Sequence, residues 1–124
     1  MLAHETLKTF VPTLKPQEAK PFYQDVLGLK LLNEDNYGLE FDSGGTLLRV
    51  IVVPELKPHT FTVLGWNVKD IEASIGSLNS KGIFCEKYDF IPQDDLGIWI
   101  SPNSTKVAWF KDPDGNILSL SQIS

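Results

Sequence analysis

A chain of 124 residues, 42% of them hydrophobic and 22% charged, has the makeup of one globular domain with a core of its own. A net charge of -5 with eleven scattered Lys and Arg argues against a nucleic-acid surface, which needs clustered cations that displace counterions; the single Cys85 excludes an intramolecular disulfide. The longest apolar runs, such as 50–53, are strand-sized, and the N-terminus lacks a charged and apolar leader, so a cytoplasmic protein with no membrane partner is expected.

In chain order, residues 7–11 read as a short strand, and Pro16 then opens a helix. Its apolar positions Ala19, Phe22, Tyr23, Val26 and Leu27 follow a helical stripe, with Gly28 as the C-terminal stop. A meander that includes 39–50 comes next, and a linker at 54–59. Residues 61–68 read as a second short strand. Asp70 then caps a helix carrying Ile71, Ile75 and Leu78 on one face, ended by Gly82. Cys85, with no neighbouring Cys or basic activator, reads as a buried or half-buried strand residue. The chain closes on a hairpin, Trp109-Phe110-Lys111-Asp112-Pro113-Asp114-Gly115-Asn116-Ile117-Leu118-Ser119-Leu120, whose Asp, Pro, Asp and Gly make the turn. Residues 39–50 parallel this hairpin at a constant offset of 70, so the chain reads as an internal repeat of two βαβββ modules, about 6–53 and 60–122, with 97–100 as an extra segment in the second.

The phrase Phe22-Tyr23-Gln24-Asp25-Val26-Leu27-Gly28-Leu29 and the turn 112–116, at this spacing, resemble the vicinal oxygen chelate superfamily across about residues 7–122. That superfamily includes glyoxalase I, bleomycin resistance proteins, fosfomycin resistance enzymes and extradiol dioxygenases. The resemblance implies an α+β fold over residues 1–124: two βαβββ modules forming an open eight-stranded, cup-shaped barrel. It also implies a homodimer, and metal ligands on the first and last strand of each module. Those positions fall on Lys8, Arg49, Val63 and Ser119 in this chain, where the final ligand is usually a glutamate. None of the four is a metal ligand at neutral pH, and a slip of one residue substitutes Thr9, Leu64 and Leu118 or Leu120, which bind metal no better. His4, in the tail before the first strand, and His59, in the linker, read as solvated surface residues. No metal and no cofactor is therefore expected, and the metal-dependent glyoxalase and dioxygenase chemistries are set aside.

Strand alternation places Lys8 and Phe10, Arg49 and Ile51, Gly65 and Asn67, Val107 and Trp109, and Ile117 and Ser119 inside the cup. The candidate ligand-binding residues are accordingly Lys8, Phe10, Arg49, Asn67, Trp109 and Ser119. Two cations beside aromatic walls suit an anionic or aromatic small molecule, with Arg49 forking onto a carboxylate and Trp109 stacking on a planar part. A structural alternative pairs Arg49 and Lys8 with Glu40 or another carboxylate to hold the barrel together, although Glu40 should face away if Leu39 and Phe41 face in. Trp66 reads as packing beneath a helix and Trp99 as a rim or dimer contact. Glu34-Asp35 and Gln93-Asp94-Asp95 read as solvated loops. The preferred function is metal-independent small-molecule binding. One alternative is a lyase or isomerase using Lys8 in acid/base chemistry; the other is antibiotic sequestration of the bleomycin kind, with acidic loops against a cationic drug.

Overall fold

In the computed structural model, which describes residues 1–124, the strands pair within two units, Met1–Lys57 and Pro58–Ser124. The first unit runs β1 (Lys8–Thr13), α1 (Pro16–Pro21), β2 (Lys30–Asp35), β3 (Gly38–Ser43) and β4 (Thr46–Val52). The second runs β5 (Thr62–Asn67), α2 (Ile71–Ser80), β6 (Trp99–Ile100), β7 (Lys106–Lys111) and β8 (Ile117–Gln122). The sheet orders are β1-β4-β3-β2 and β5-β8-β7-β6. In each, the first strand lies parallel to the last and the other pairs are antiparallel. Each unit is thus a βαβββ module with an open four-stranded sheet, and the fold is α+β. No helix is long and apolar enough to cross a membrane.

Alternation along the strands decides which side chains meet the helix. In the first unit Val11, Leu39, Phe41, Leu48 and Val50 are buried together with Ala19, Phe22 and Tyr23 of the helical segment. Tyr23 lies 5.9 Å from Phe41 between ring centroids. Pro21 supplies no amide hydrogen, and immediately after it the helix widens into a π turn, Phe22–Val26, in which the Leu27 N–H donates to the Phe22 carbonyl at 2.9 Å. In the second unit Ile71, Ile75 and Leu78 of α2 are buried with Ala108, Phe110, Leu118 and Leu120. Each such Ile, Leu or Phe contributes roughly 1.5–3 kcal/mol by leaving water. The Asp70 carboxylate caps α2, accepting the Ala73 N–H at 3.1 Å. Trp66 pairs in register with the buried Leu120 and so falls on the helix-facing side of its sheet.

Four sequence readings are corrected here. Residues 97–100 are not an addition to the second module: Trp99–Ile100 is β6, paired with β7 where β2 pairs with β3, and a two-residue strand has too little length to show a period. The constant offset of 70 holds between β4 and β8 but becomes 69 between β3 and β7. Asp42 pairs with Leu47 across four residues (43–46), whereas Lys111 pairs with Ile117 across five (112–116). The longer turn is organised by buried Asp112, whose carboxylate accepts the N–H groups of Asp114 and Asn116, each at 2.9 Å, and the Asn116 side-chain amide, also at 2.9 Å. Trp109 is therefore the counterpart of Glu40, not of Leu39. Glu34 and Asp35 end β2 rather than lying on a loop; the Asp35 carboxylate accepts the N–H groups of Tyr37 at 2.8 Å and Gly38 at 3.1 Å. Cys85 lies in the irregular segment between α2 and β6, not on a strand.

Candidate functional site

The face of the second sheet turned away from α2 carries Gly65, Asn67, Val107, Trp109, Lys111, Ile117 and Ser119, the residues out of phase with its buried apolar set. Over it lies a cavity of about 530 Å³ whose walls include His59, Phe61, Tyr88, Phe90, Trp109 and Ile117. Trp109 is its organising residue. The indole Nε1–H donates to Thr62 Oγ1 at 3.1 Å, which fixes the ring across β7, β8 and β5. Tyr88 meets the indole edge-on at 5.7 Å and 75°, and Trp99 flanks it at 6.0 Å.

Two aromatic pairs stand around that indole. His59 stacks on Phe61 at 4.7 Å and 26°, just ahead of β5. Tyr88 and Phe90, 5.4 Å apart, are held by the segment between α2 and β6. Phe61 is 58% exposed and Phe90 80%. Large aromatic rings left that open around a concavity form an apolar patch with room for a planar guest. Lys111, the cation at the cavity wall, sits 3.4 Å from Glu86, so the pair adds no net charge. Burial first, then the neighbouring Glu86 carboxylate, raises the Tyr88 phenol above its ordinary value.

The same surroundings silence Cys85. Burial, followed by the charges of Glu86 and Asp94, pushes its thiol up to about 11. A folded-state value raised in this way favours the neutral thiol, so its contribution to stability is complete below pH 9 and fades as pH rises through about 11. Iodoacetamide is expected to alkylate native Cys85 hardly at all at pH 8 and far faster near pH 11; rapid labelling at pH 8 would contradict this burial.

The residues singled out from sequence separate. Trp109 centres the cavity. Ser119, 9% exposed, supports it from the adjacent strand, in register with Trp109 on one side and Gly65 on the other. A β-carbon at Gly65 would collide with the Ser119 hydroxyl, so the small residue there is what lets the strands close around Ser119. Asn67 is exposed at the end of β5, beside Ser121, and does not line the cavity.

Lys8, Phe10 and Arg49 belong to the first unit. Lys8 is exposed, its ammonium 5.7 Å from the centre of the Phe10 ring. Arg49 Nη1 contacts Glu40 Oε1 at 2.5 Å, and Nη2 lies 3.7 Å from Asp35 Oδ1. Glu40 does not turn away from Arg49: Leu39 and Phe41 face the helix, so Glu40 shares the other side of the sheet with Arg49, its register partner. The guanidinium is neutralised by the protein's own carboxylates.

The four positions at which the sequence resemblance implies metal ligands do not fit a metal ion. Lys8 and Arg49 offer protonated nitrogens, Val63 an alkyl group, and Ser119 a single hydroxyl. No cluster of three or more His, Cys, Asp or Glu is placed to hold a metal ion.

Sequence reading missed His59, Phe61, Tyr88 and Phe90. Their signal is an aromatic pair spaced by two, repeated at 59/61 and 88/90, on segments with no strand or helix of their own to bury them.

No protein-family model matches the chain. The uncharacterized protein YraH of Bacillus subtilis (strain 168) is 31% identical over 115 residues, covering 80% of this chain and 83% of YraH. Among solved structures, lactoylglutathione lyase from Agrobacterium tumefaciens superposes with a TM-score of 0.76 at 15% identity, over 98% of this chain and 96% of its own. TnmS3, an antibiotic binding protein from Streptomyces sp. CB03234, gives 0.75 at 24% identity, over 100% and 99%. A glyoxalase/bleomycin resistance protein/dioxygenase from Alicyclobacillus acidocaldarius gives 0.72 at 17% identity, over 97% and 92%.

Proposed function

This chain belongs to the family of Bacillus subtilis YraH and has the vicinal oxygen chelate fold, and on that premise we propose that it is a metal-independent small-molecule-binding protein whose ligand is planar and aromatic. The observation that carries this reading is the Trp109 indole, hydrogen-bonded in place and ringed by His59, Phe61, Tyr88 and Phe90 around a cavity of about 530 Å³. A flat ring entering there exchanges water for aromatic faces and edges, which favours offset and edge-on contacts. The likeness to TnmS3, an antibiotic binding protein, supports small-molecule binding as such; the aromatic character of the ligand is argued from the cavity walls alone.

The ligand is uncharged at the part that enters. Arg49 is already paired with Glu40, and Lys111 with Glu86. Sequestration of a cationic drug calls for carboxylates at the cavity wall, and no Asp or Glu is among the residues that line it. A lyase or isomerase built on Lys8 is disfavoured because Lys8 is exposed and does not line the cavity.

A matched set of naphthalenes tests the charge assignment. We expect 2-naphthol to bind saturably and more tightly than 2-naphthoate or 2-naphthylmethylammonium, each of which carries a charge against apolar walls, and its affinity to change little with salt. An order led by 2-naphthoate, with steep salt dependence, would replace this reading with the anionic one. The proposal includes the homodimer that the family resemblance implies. Sedimentation at micromolar concentration is expected to give a dimer, and a monomer throughout that range would remove this part.

A further inference from the structure

We propose that Gln93 is the positioning residue of the aromatic cleft: its one side-chain amide holds the segment 86–97 so that Tyr88 and Phe90 stand as a prebuilt wall beside Trp109. The inference rests on the aromatic-ligand reading for its functional meaning, though not for its geometry.

The segment between α2 and β6 has neither helix nor strand to fix it, yet it supplies half of the aromatic ring around the cavity. Half-buried Gln93 answers that need. Its Oε1 accepts the Tyr88 N–H at 2.7 Å, and its Nε2 donates to the carbonyls of Glu86 at 3.0 Å and Gly97 at 2.8 Å. Turning the amide over would face its oxygen to two carbonyls and its NH₂ to an N–H, so the surrounding groups set its orientation. One side chain thereby bridges the start, the middle and the end of the segment.

The start is tied to the floor as well. The Glu86 N–H donates to the Trp109 carbonyl at 2.7 Å. A continuous path then runs from the Trp109 backbone through Glu86 and Gln93 to Tyr88, whose ring returns to the Trp109 indole at 5.7 Å. Gly97, the third anchor, is buried with φ +94, and a β-carbon there would press on Cys85, so this end has little freedom. A wall held in its bound form spares the ligand the entropy of ordering it.

Gln93→Met keeps most of the side-chain volume and removes all three hydrogen bonds; Gln93→Asn keeps the amide one methylene short and serves if the first variant does not fold. In the ligand-free protein, amide exchange at Tyr88 is expected to accelerate in either variant, and unchanged exchange would overturn the proposal. Affinity for 2-naphthol is expected to fall about tenfold, mainly through faster dissociation, as is usual for lost preorganisation. In a Tyr88→Ala/Phe90→Ala background the same Gln93 change should cost less than about twofold, because the wall it positions is gone. Full persistence of the loss in that background, or wild-type affinity in both Gln93 variants, would overturn the positioning role. If the unsubstituted protein binds no 2-naphthol, the aromatic-ligand reading is what fails, and the Tyr88 exchange rate alone decides whether Gln93 holds the segment.

Discussion

Trp109→Ala is expected to weaken 2-naphthol binding by about 100-fold, equivalent to about 2.7 kcal/mol, while the second unit stays folded. The magnitude follows from area: about 100 Å² of ligand and indole surface returned to water costs about 2.5 kcal/mol, with aromatic geometry adding to it. Folding survives because alternation on β7 sends the neighbours Ala108 and Phe110, both fully buried, toward α2, whereas the indole stands on the opposite face. Trp109→Phe separates stacking from anchoring. It keeps an aromatic face but loses the donor to Thr62, so a loss of a few-fold is expected, of the size of one net hydrogen bond of about 1 kcal/mol. Calorimetric titration suits both variants, since removing Trp109 also removes a reporter of quenching. Unimpaired binding by Trp109→Ala would show that the cavity is not the site.

Arg49→Ala is expected to do the opposite, lowering stability by about 2 kcal/mol and leaving 2-naphthol affinity unchanged. Removing one member of a buried ion pair typically costs 3–5 kcal/mol because the other charge is stranded, and an exposed pair contributes at most about 1. The side chains of Arg49 and Glu40 are 16% and 24% exposed, between those limits, and Asp35 at 43% adds little. Denaturant midpoints at constant slope measure the change. Arg49→Ala/Glu40→Ala should recover part of the loss, because the less exposed of the two carboxylates is then no longer stranded, while Asp35 keeps the N–H groups of Tyr37 and Gly38. If Arg49→Ala instead retains full stability and loses affinity, the guanidinium serves a ligand and the anionic reading returns.

The reach of the sequence is set by which interactions are periodic. Asp70 ahead of Ile71, Ile75 and Leu78, and the Asp-Pro-Asp-Gly turn, mark their elements because capping and turn geometry are local. The repeat of two βαβββ modules is legible for the same reason, since both halves carry the same run of helix and strands. Glu40 is different. Its face is set by the β3–β4 register, but one additional residue in the 112–116 turn displaces the alignment of the two halves by one, and a shift of one residue exchanges the two sides of a strand. That single step pairs Leu39 with Trp109 in the alignment and counts against the Arg49–Glu40 pairing, which the sequence offers only as an alternative.

The cleft lies beyond periodicity altogether. Tyr88 and Phe90 owe their position to the three hydrogen bonds of Gln93, and sequence alone offers no rule that selects this amide from other polar loop residues. Of the six residues proposed from sequence, Trp109 and Ser119 meet at the cavity and its supporting strand, because both follow from the hairpin register. Lys8, Phe10 and Arg49 share a face of the other sheet. There Glu40 is legible as an alternative partner of Arg49, which the structure bears out, whereas Asp35, read as a loop residue, is not.

The most direct test of the central claim is a heteronuclear NMR titration of the unsubstituted protein with 2-naphthol, following the side chain of each residue around the two sheets. The Trp109 indole Nε1–H resonance, with those of Phe61, Tyr88 and Phe90, is expected to shift saturably with a single affinity while the Arg49 guanidinium resonance stays in place. Saturable shifts confined to Lys8, Phe10 and Arg49, with the Trp109 indole unmoved, would contradict the account.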